Sequence, residues 1–175
     1  FDTVAQEKLA AYSKASATVD SFNTKYMSDT GVTAEDNAKA QLTSKQAQLD
    51  ALILKGKGGD NDSDFDESKL TDEEKEQYKT LTSSVETLKS DIANYDTAKK
   101  SMEDLKNYVN IEVKDGKTTV SALKETDSAA GVANIAAETA DRNTKIKADL
   151  TTQYQNKAKN SYDMINAAHK FSKGA

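Results

Sequence analysis

Asp60, Asp62, Asp64 and Asp66 alternate through a glycine-rich stretch, the pattern in which a calcium loop presents its first ligands. A hard cation takes roughly six to eight oxygen ligands, so carboxylates at every second position are the clearest hint of metal chemistry in the chain. Such a loop also needs a glycine at its sixth position for the sharp turn. Counted from Asp60 that place holds Phe65, and counted from Asp62 it holds Glu67. Counting from Asp62 does put Glu73 at the twelfth position, but Glu73 belongs to the start of a helix. The reading is therefore a solvated acidic tip over 57–69 with no bound metal, Asp60, Asp62, Asp64 and Asp66 being the candidate ligands if one bound. Phe65, alone among these acids, is read as a local hydrophobic anchor rather than a docking residue.

Other chemistry has less to build on. His169 is the only histidine, and a lone histidine is more often a surface or packing residue than a base or ligand. A serine nucleophile needs a base held beside it, and no Gly-x-Ser-x-Gly elbow is present. Gly56, Gly58 and Gly59 follow a helix rather than a strand, which is the wrong context for a phosphate loop. There is no cysteine, so disulfides and thiolate metal sites are excluded. No catalytic constellation and no cofactor site is expected, and the chain reads as a non-enzyme.

The elements that would carry any site are long helices. Tyr78, Leu81, Val85, Leu88, Ile92, Tyr95, Met102, Leu105 and Val109 keep an alternating three-four spacing, weak only at Ala98 or Lys99. A stripe repeating every 3.5 residues commits a helix to partner helices along its length. This third helix is expected over 71–108, opening at the capping box Thr71-Asp72-Glu73-Glu74. A first helix is expected over 2–28, its stripe formed by Ala5, Leu9, Tyr12, Ala15, Val19, Phe22 and Tyr26, with Gly31 turning the chain. A second is expected over 33–55, capped by Thr33 and Asp36, carrying Ala38, Leu42, Lys45, Leu49, Leu52 and Ile53, with Gly56 as its C-terminal cap.

Beyond Tyr108 the period changes. Val109, Ile111 and Val113 alternate, Asp115-Gly116 is a turn signal, and Thr119, Val120 and Leu123 follow, which predicts a β-hairpin over 109–123. A last helix is expected over 132–172. Its stripe, Ile135, Thr139, Arg142 or Asn143, Ile146, Leu150, Tyr154, Ala158, Ser161, Ile165, Ala168 and Phe171, is more polar than that of the third helix. Polar stripe residues specify register and partner more than they add stability. Tyr162, Ile165 and Phe171 are therefore the expected apolar anchors of an assembly contact, the alternative being ordinary packing on the third helix.

Composition agrees with rods. Hydrophobic residues make up 36% and charged residues 30%, and proline, which would break long helices, is absent. The expected fold is all-α: a single domain over 1–175, an elongated antiparallel coiled-coil helical bundle with a small β-hairpin appendage. Net charge is −5, and residues 56–76 alone carry nine acids against three lysines. With one arginine and no basic face, nucleic acid is not an expected partner. No stretch approaches 18 apolar residues, so no membrane span is expected, and no cleavable Sec signal is visible. The first residue is Phe1 rather than methionine, and a preceding segment is expected.

From Tyr108 onward the chain resembles the extracellular proteins of bacterial type III secretion. Tyr108-Val109-Asn110, the hairpin around Asp115-Gly116 with Thr119-Val120-Ser121, then Gly131-Val132, Ile135-Ala136-Ala137 and Arg142-Asn143-Thr144, resemble EspA-like and SseB-like filament subunits. Gln153-Tyr154-Gln155-Asn156 and Ser161-Tyr162-Asp163-Met164-Ile165 are similar to the last helix of needle-tip proteins such as IpaD and SipD. The resemblance covers about 40% of the chain, and it departs from both patterns. Residues 2–28 are amphipathic where filament subunits are strongly apolar, and the 108–131 segment is shorter than the insertion of tip proteins. What the resemblance implies is a secreted or cell-surface structural subunit that contributes to virulence, with protein partners and self-assembly through coiled-coil helices. The other reading is a helical binding or adhesion module, such as a bacterial surface protein, a phage structural protein or a minor pilin of type IV secretion.

Overall fold

The computed structural model describes residues 1–174. Four α-helices and a two-stranded antiparallel sheet follow one another as α1 (Asp2–Lys25), α2 (Ala34–Gly56), α3 (Asp72–Leu105), β1 (Val109–Lys114), β2 (Lys117–Ala122) and α4 (Val132–Gly174). Single 3-10 turns occupy Glu67–Lys69 and Lys106–Tyr108. The chain divides into two compact units, one built from Ala10–Lys106 and the other from Phe1–Leu9 with the chain from Asn107 onward.

Helix boundaries follow local chemistry. At α3 both halves of the capping box form: Thr71 Oγ1 accepts from the Glu74 N–H, and Glu74 Oε1 accepts from the Thr71 N–H. Thr33 caps α2 by accepting from the Asp36 N–H at 3.1 Å. The end of α2 differs from expectation. The left-handed residues that terminate it are Gly58 and Gly59, at φ +69° and +84°, whereas Gly56 is still helical. Gly56 is needed for space: a Cβ there would lie 2.2 Å from the Phe65 ring, which stacks on Tyr78 with centroids 5.1 Å apart. Phe65 is thus the anchor of the acidic tip. In the hairpin, Asp115 and Gly116 both have positive φ, 53° and 74°, the type I′ geometry whose twist matches the paired strands. Val109 pairs with Ala122 and Ile111 with Val120. Burial fades toward the tip, where Val113 is exposed.

Within the Ala10–Lys106 unit, α1 and α2 both run antiparallel to α3. Phe22 stacks on Tyr95 at 4.1 Å while Lys25 reaches Asp91 at 2.7 Å, and Glu35 pairs with Lys99 while Lys55, further along α2, pairs with Glu74. Where the three helices overlap, Phe22, Tyr26, Ala38, Leu88 and Tyr95 form one buried cluster, with Val19, Leu42 and Ile92 packed against it. Every residue of the α3 stripe from Tyr78 to Leu105 is buried or half-buried, and Ala98, not Lys99, fills its weak turn. α1 has ended by the level of Asp91, so the N-terminal part of α3 is flanked by α2 alone in this unit.

The other unit centres on Val4, Ala5, Leu123 and Ile135, joined by Phe1, Tyr108, Ala122, Ala129 and Val132. Gly131 lets the start of α4 lie directly on the chain at Asn107: a Cβ at Gly131 would sit 2.3 Å from the Asn107 carbonyl oxygen and 3.0 Å from the Tyr108 Cα. Arg142 bridges two glutamates here. Its guanidinium donates to Glu7 in bidentate fashion, at 2.7 and 2.5 Å, and to Glu138 at 3.0 Å, while Lys8 meets Glu138 at 3.0 Å. Glu7 is exposed and Lys8, Glu138 and Arg142 are half-buried, so solvent screens the network and it orients α4 more than it stabilises it.

Candidate interaction surface

α4 carries one face along its whole length, and that face changes character at Arg142. Ile135 is fully buried and Thr139 half-buried, but every residue from Asn143 to Phe171 is exposed. Among them are the large apolar side chains Ile146, Leu150, Tyr154, Met164 and Ile165. Ile146, Leu150 and Met164 fall within about 40° of one another on a helical projection at 100° per residue, continuing the line of Ile135 and Thr139. Tyr162, Ile165 and Phe171, the expected anchors, are 64%, 67% and 81% exposed. Isolated apolar residues on a surface are ordinary, whereas Ile146, Leu150 and Tyr154, spaced four residues apart on an exposed helix, form a run of the kind that marks an interaction site. Met164 and Phe171 return to its line beyond Lys157 and Ser161, Ile165 lies to one side, and Tyr162 stands on the opposite face. Sequence periodicity located the strip, and only the structure shows where its covered part ends.

The charges around the strip are arranged by side. Lys145 and Lys159, behind it, are tied to Asp141 at 3.0 Å and to Asp163 at 2.7 Å. Lys147 and Lys157, which project beside and along the strip, have no carboxylate partner among the described residues. From Lys145 to Lys159 the helix holds four lysines and one aspartate, a basic segment in an acidic protein.

A second feature, which the sequence reading missed, lies between α2 and the N-terminal part of α3. There an open groove of about 690 Å³ is lined by Ala51, Leu52, Thr80 and Leu81 and by the charged side chains of Lys55, Glu73, Glu74 and Glu76. Glu74 is engaged by Lys55 and by the Thr71 backbone, and its carboxyl is held below the usual glutamate range, chiefly by Lys55. Glu73 and Glu76 have no basic partner among the described residues. The only sequence signal for the groove was the relative lengths of the first and third stripes.

The aspartate quartet does not converge. Asp60 accepts from the Asp62 N–H at 3.0 Å and from the Ser63 hydroxyl at 3.1 Å, and Asp66 accepts from the Ser68 N–H and hydroxyl. Those bonds from Ser68 hold the Asp66 carboxyl below its usual range. Asp62 and Asp64 stand exposed, and no group of three or more metal-ligating side chains is gathered among the described residues. The carboxylates of Asp60 and Asp66 shape turns. His169 is exposed on α4. No helix of the described residues is long and apolar enough to cross a membrane.

No family model, curated protein or solved structure matches this chain.

Proposed function

We propose that the chain is an antiparallel coiled-coil structural subunit of a bacterial secretion apparatus, a type III tip, filament or translocator ectodomain exported to the cell surface or beyond, and that it works by protein assembly rather than by catalysis. The observation that carries this reading is the bare apolar strip on α4. A long helix with a solvent-exposed stripe gains stability only when another helix covers it, and a subunit awaiting a partner presents such a surface. The resemblance of the 108–165 segment to filament and tip proteins supplies the class of assembly.

Truncation after Asn143, which removes the exposed stretch of α4, tests the role of that helix. The expected product is still largely helical by circular dichroism and no longer assembles or binds its partner. Assembly that survives the truncation, or global unfolding caused by it, overturns the reading. Export tests the class: release that requires a type III apparatus and persists when the Sec route is blocked is expected, whereas Sec-dependent delivery would identify a surface binding or adhesion module.

A further inference from the structure

We infer that the occupant of the α2/α3 groove is the Lys145–Lys159 segment of α4 from a second copy of the same chain, an inference that rests on the assembly reading above. Three properties match. The first is form. In the middle of α3 three helices share a core, whereas toward Asp72 the Ala10–Lys106 unit supplies only two, leaving the position of a third helix open over Ala51, Leu52, Thr80 and Leu81. A helix fills that position by laying an apolar strip into it, and Ile146, Leu150 and Tyr154 form a strip spaced four residues apart.

The second property is length. At 1.5 Å per residue, α3 from Asp72 to Val85 is about 20 Å long, and Lys145 to Lys159 about 21 Å. The third is charge. Glu73 and Glu76 line the groove without partners, and Lys147 beside the strip and Lys157 in line with it have no carboxylate partner among the described residues. Two copies of α4 facing each other would instead bring like-charged lysine-rich segments together, which costs affinity and disfavours the homotypic pair.

The contact is heterologous, because a helix on one copy meets a groove on the next. Each molecule therefore keeps one helix and one groove unsatisfied, and repeated addition produces a ring if the rotation closes and an open fibre if it does not. One helix in a groove of this length lies at the small end of specific interfaces, so association is concentration-dependent, and its flanking charges make it weaken with salt.

The test is sedimentation velocity on the full chain and two charge-reversed variants, with helicity followed by circular dichroism. One variant carries Lys147→Glu and Lys157→Glu; the other carries Glu73→Lys and Glu76→Lys. All four positions are exposed, so both variants are expected to melt close to the wild type. The unmodified protein is expected to gain mass with concentration and lose it in high salt. Each variant alone is expected to stay monomeric, and an equimolar mixture of the two to associate again. A wild type that remains monomeric at millimolar concentration overturns the inference, while loss of binding to a foreign partner on truncation would still support the assembly reading. Self-association that persists in the Glu73→Lys, Glu76→Lys variant also overturns it, since the contact would then not use the groove.

Discussion

α3 and α4 carry the same kind of stripe and meet opposite fates. On α3, Val85, Leu88 and Tyr95 are buried, with Ile92 half-buried beside them, because α1 and α2 run back along it within one compact unit. On α4, Ile135 is buried but Ile146, Leu150 and Ile165 are exposed. A three-four repeat states a requirement for a neighbour without stating which molecule supplies it. For α3 the neighbour is in the same chain. For α4 beyond Arg142 it is not found among the described contacts of that helix.

The largest effect should come from the covered stripe. Leu88→Ala opens a cavity in the Phe22–Tyr95 cluster and is expected to cost about 2–5 kcal/mol, read as a fall in the thermal midpoint. An unchanged midpoint would break the comparison at its firmer end. Next in size is Gly131→Ala, which drives a methyl group into the Asn107 carbonyl. The backbone must shift to admit it, at about 1–3 kcal/mol, and the loss should appear as faster hydrogen exchange at Tyr108 and Val109. Thr71→Ala removes half of the capping box and should cost about 1 kcal/mol in chemical denaturation.

A smaller effect is tied to pH. Asp91 accepts from Lys25 Nζ at 2.7 Å and from the Tyr26 hydroxyl at 2.6 Å, and these bonds, the Lys25 bond above all, hold its carboxyl below the usual aspartate value. A depressed carboxyl favours the folded state above its unfolded pKa, and that contribution disappears as pH falls through the lower folded value. The acid limb of the stability profile below about pH 4 should therefore be shallower in Asp91→Asn. The smallest effect belongs to the bare stripe: Ile165→Ala should move the stability of the isolated chain by no more than about 0.5 kcal/mol. A change as large as that of Leu88→Ala would mean that α4 is covered by its own chain, and the contrast between the two helices would vanish.

Local signals were the most legible. The Thr71 capping box, the Asp115-Gly116 turn and the alternation of Val109, Ile111 and Val113 each depend on a few adjacent residues, so sequence contains the whole interaction. The stripes of the first three helices were equally readable, since burial of one face imposes its period whatever the partner. Gly56 was misread because its role is set by Phe65, nine residues on and across a loop, and a glycine that caps looks like a glycine that makes room. The burial of Val4 and the space-making role of Gly131 went unread for the same reason: their neighbours are Ile135 and Asn107, brought to them by the fold. The groove lined by Glu73 and Glu76 had no local signature, because it arises where α1 stops short.

By itself the sequence determined that this protein is made of long helices with a single hairpin, where most of those helices begin and turn, and which face of each is apolar. These follow from backbone hydrogen bonding, capping and periodicity, which act over one or two turns. Which of those apolar faces are covered is set by the packing of the folded chain. That depends on how far each helix extends beside the next, so that α3 finds company along its stripe while α4 from Asn143 to Phe171 finds water.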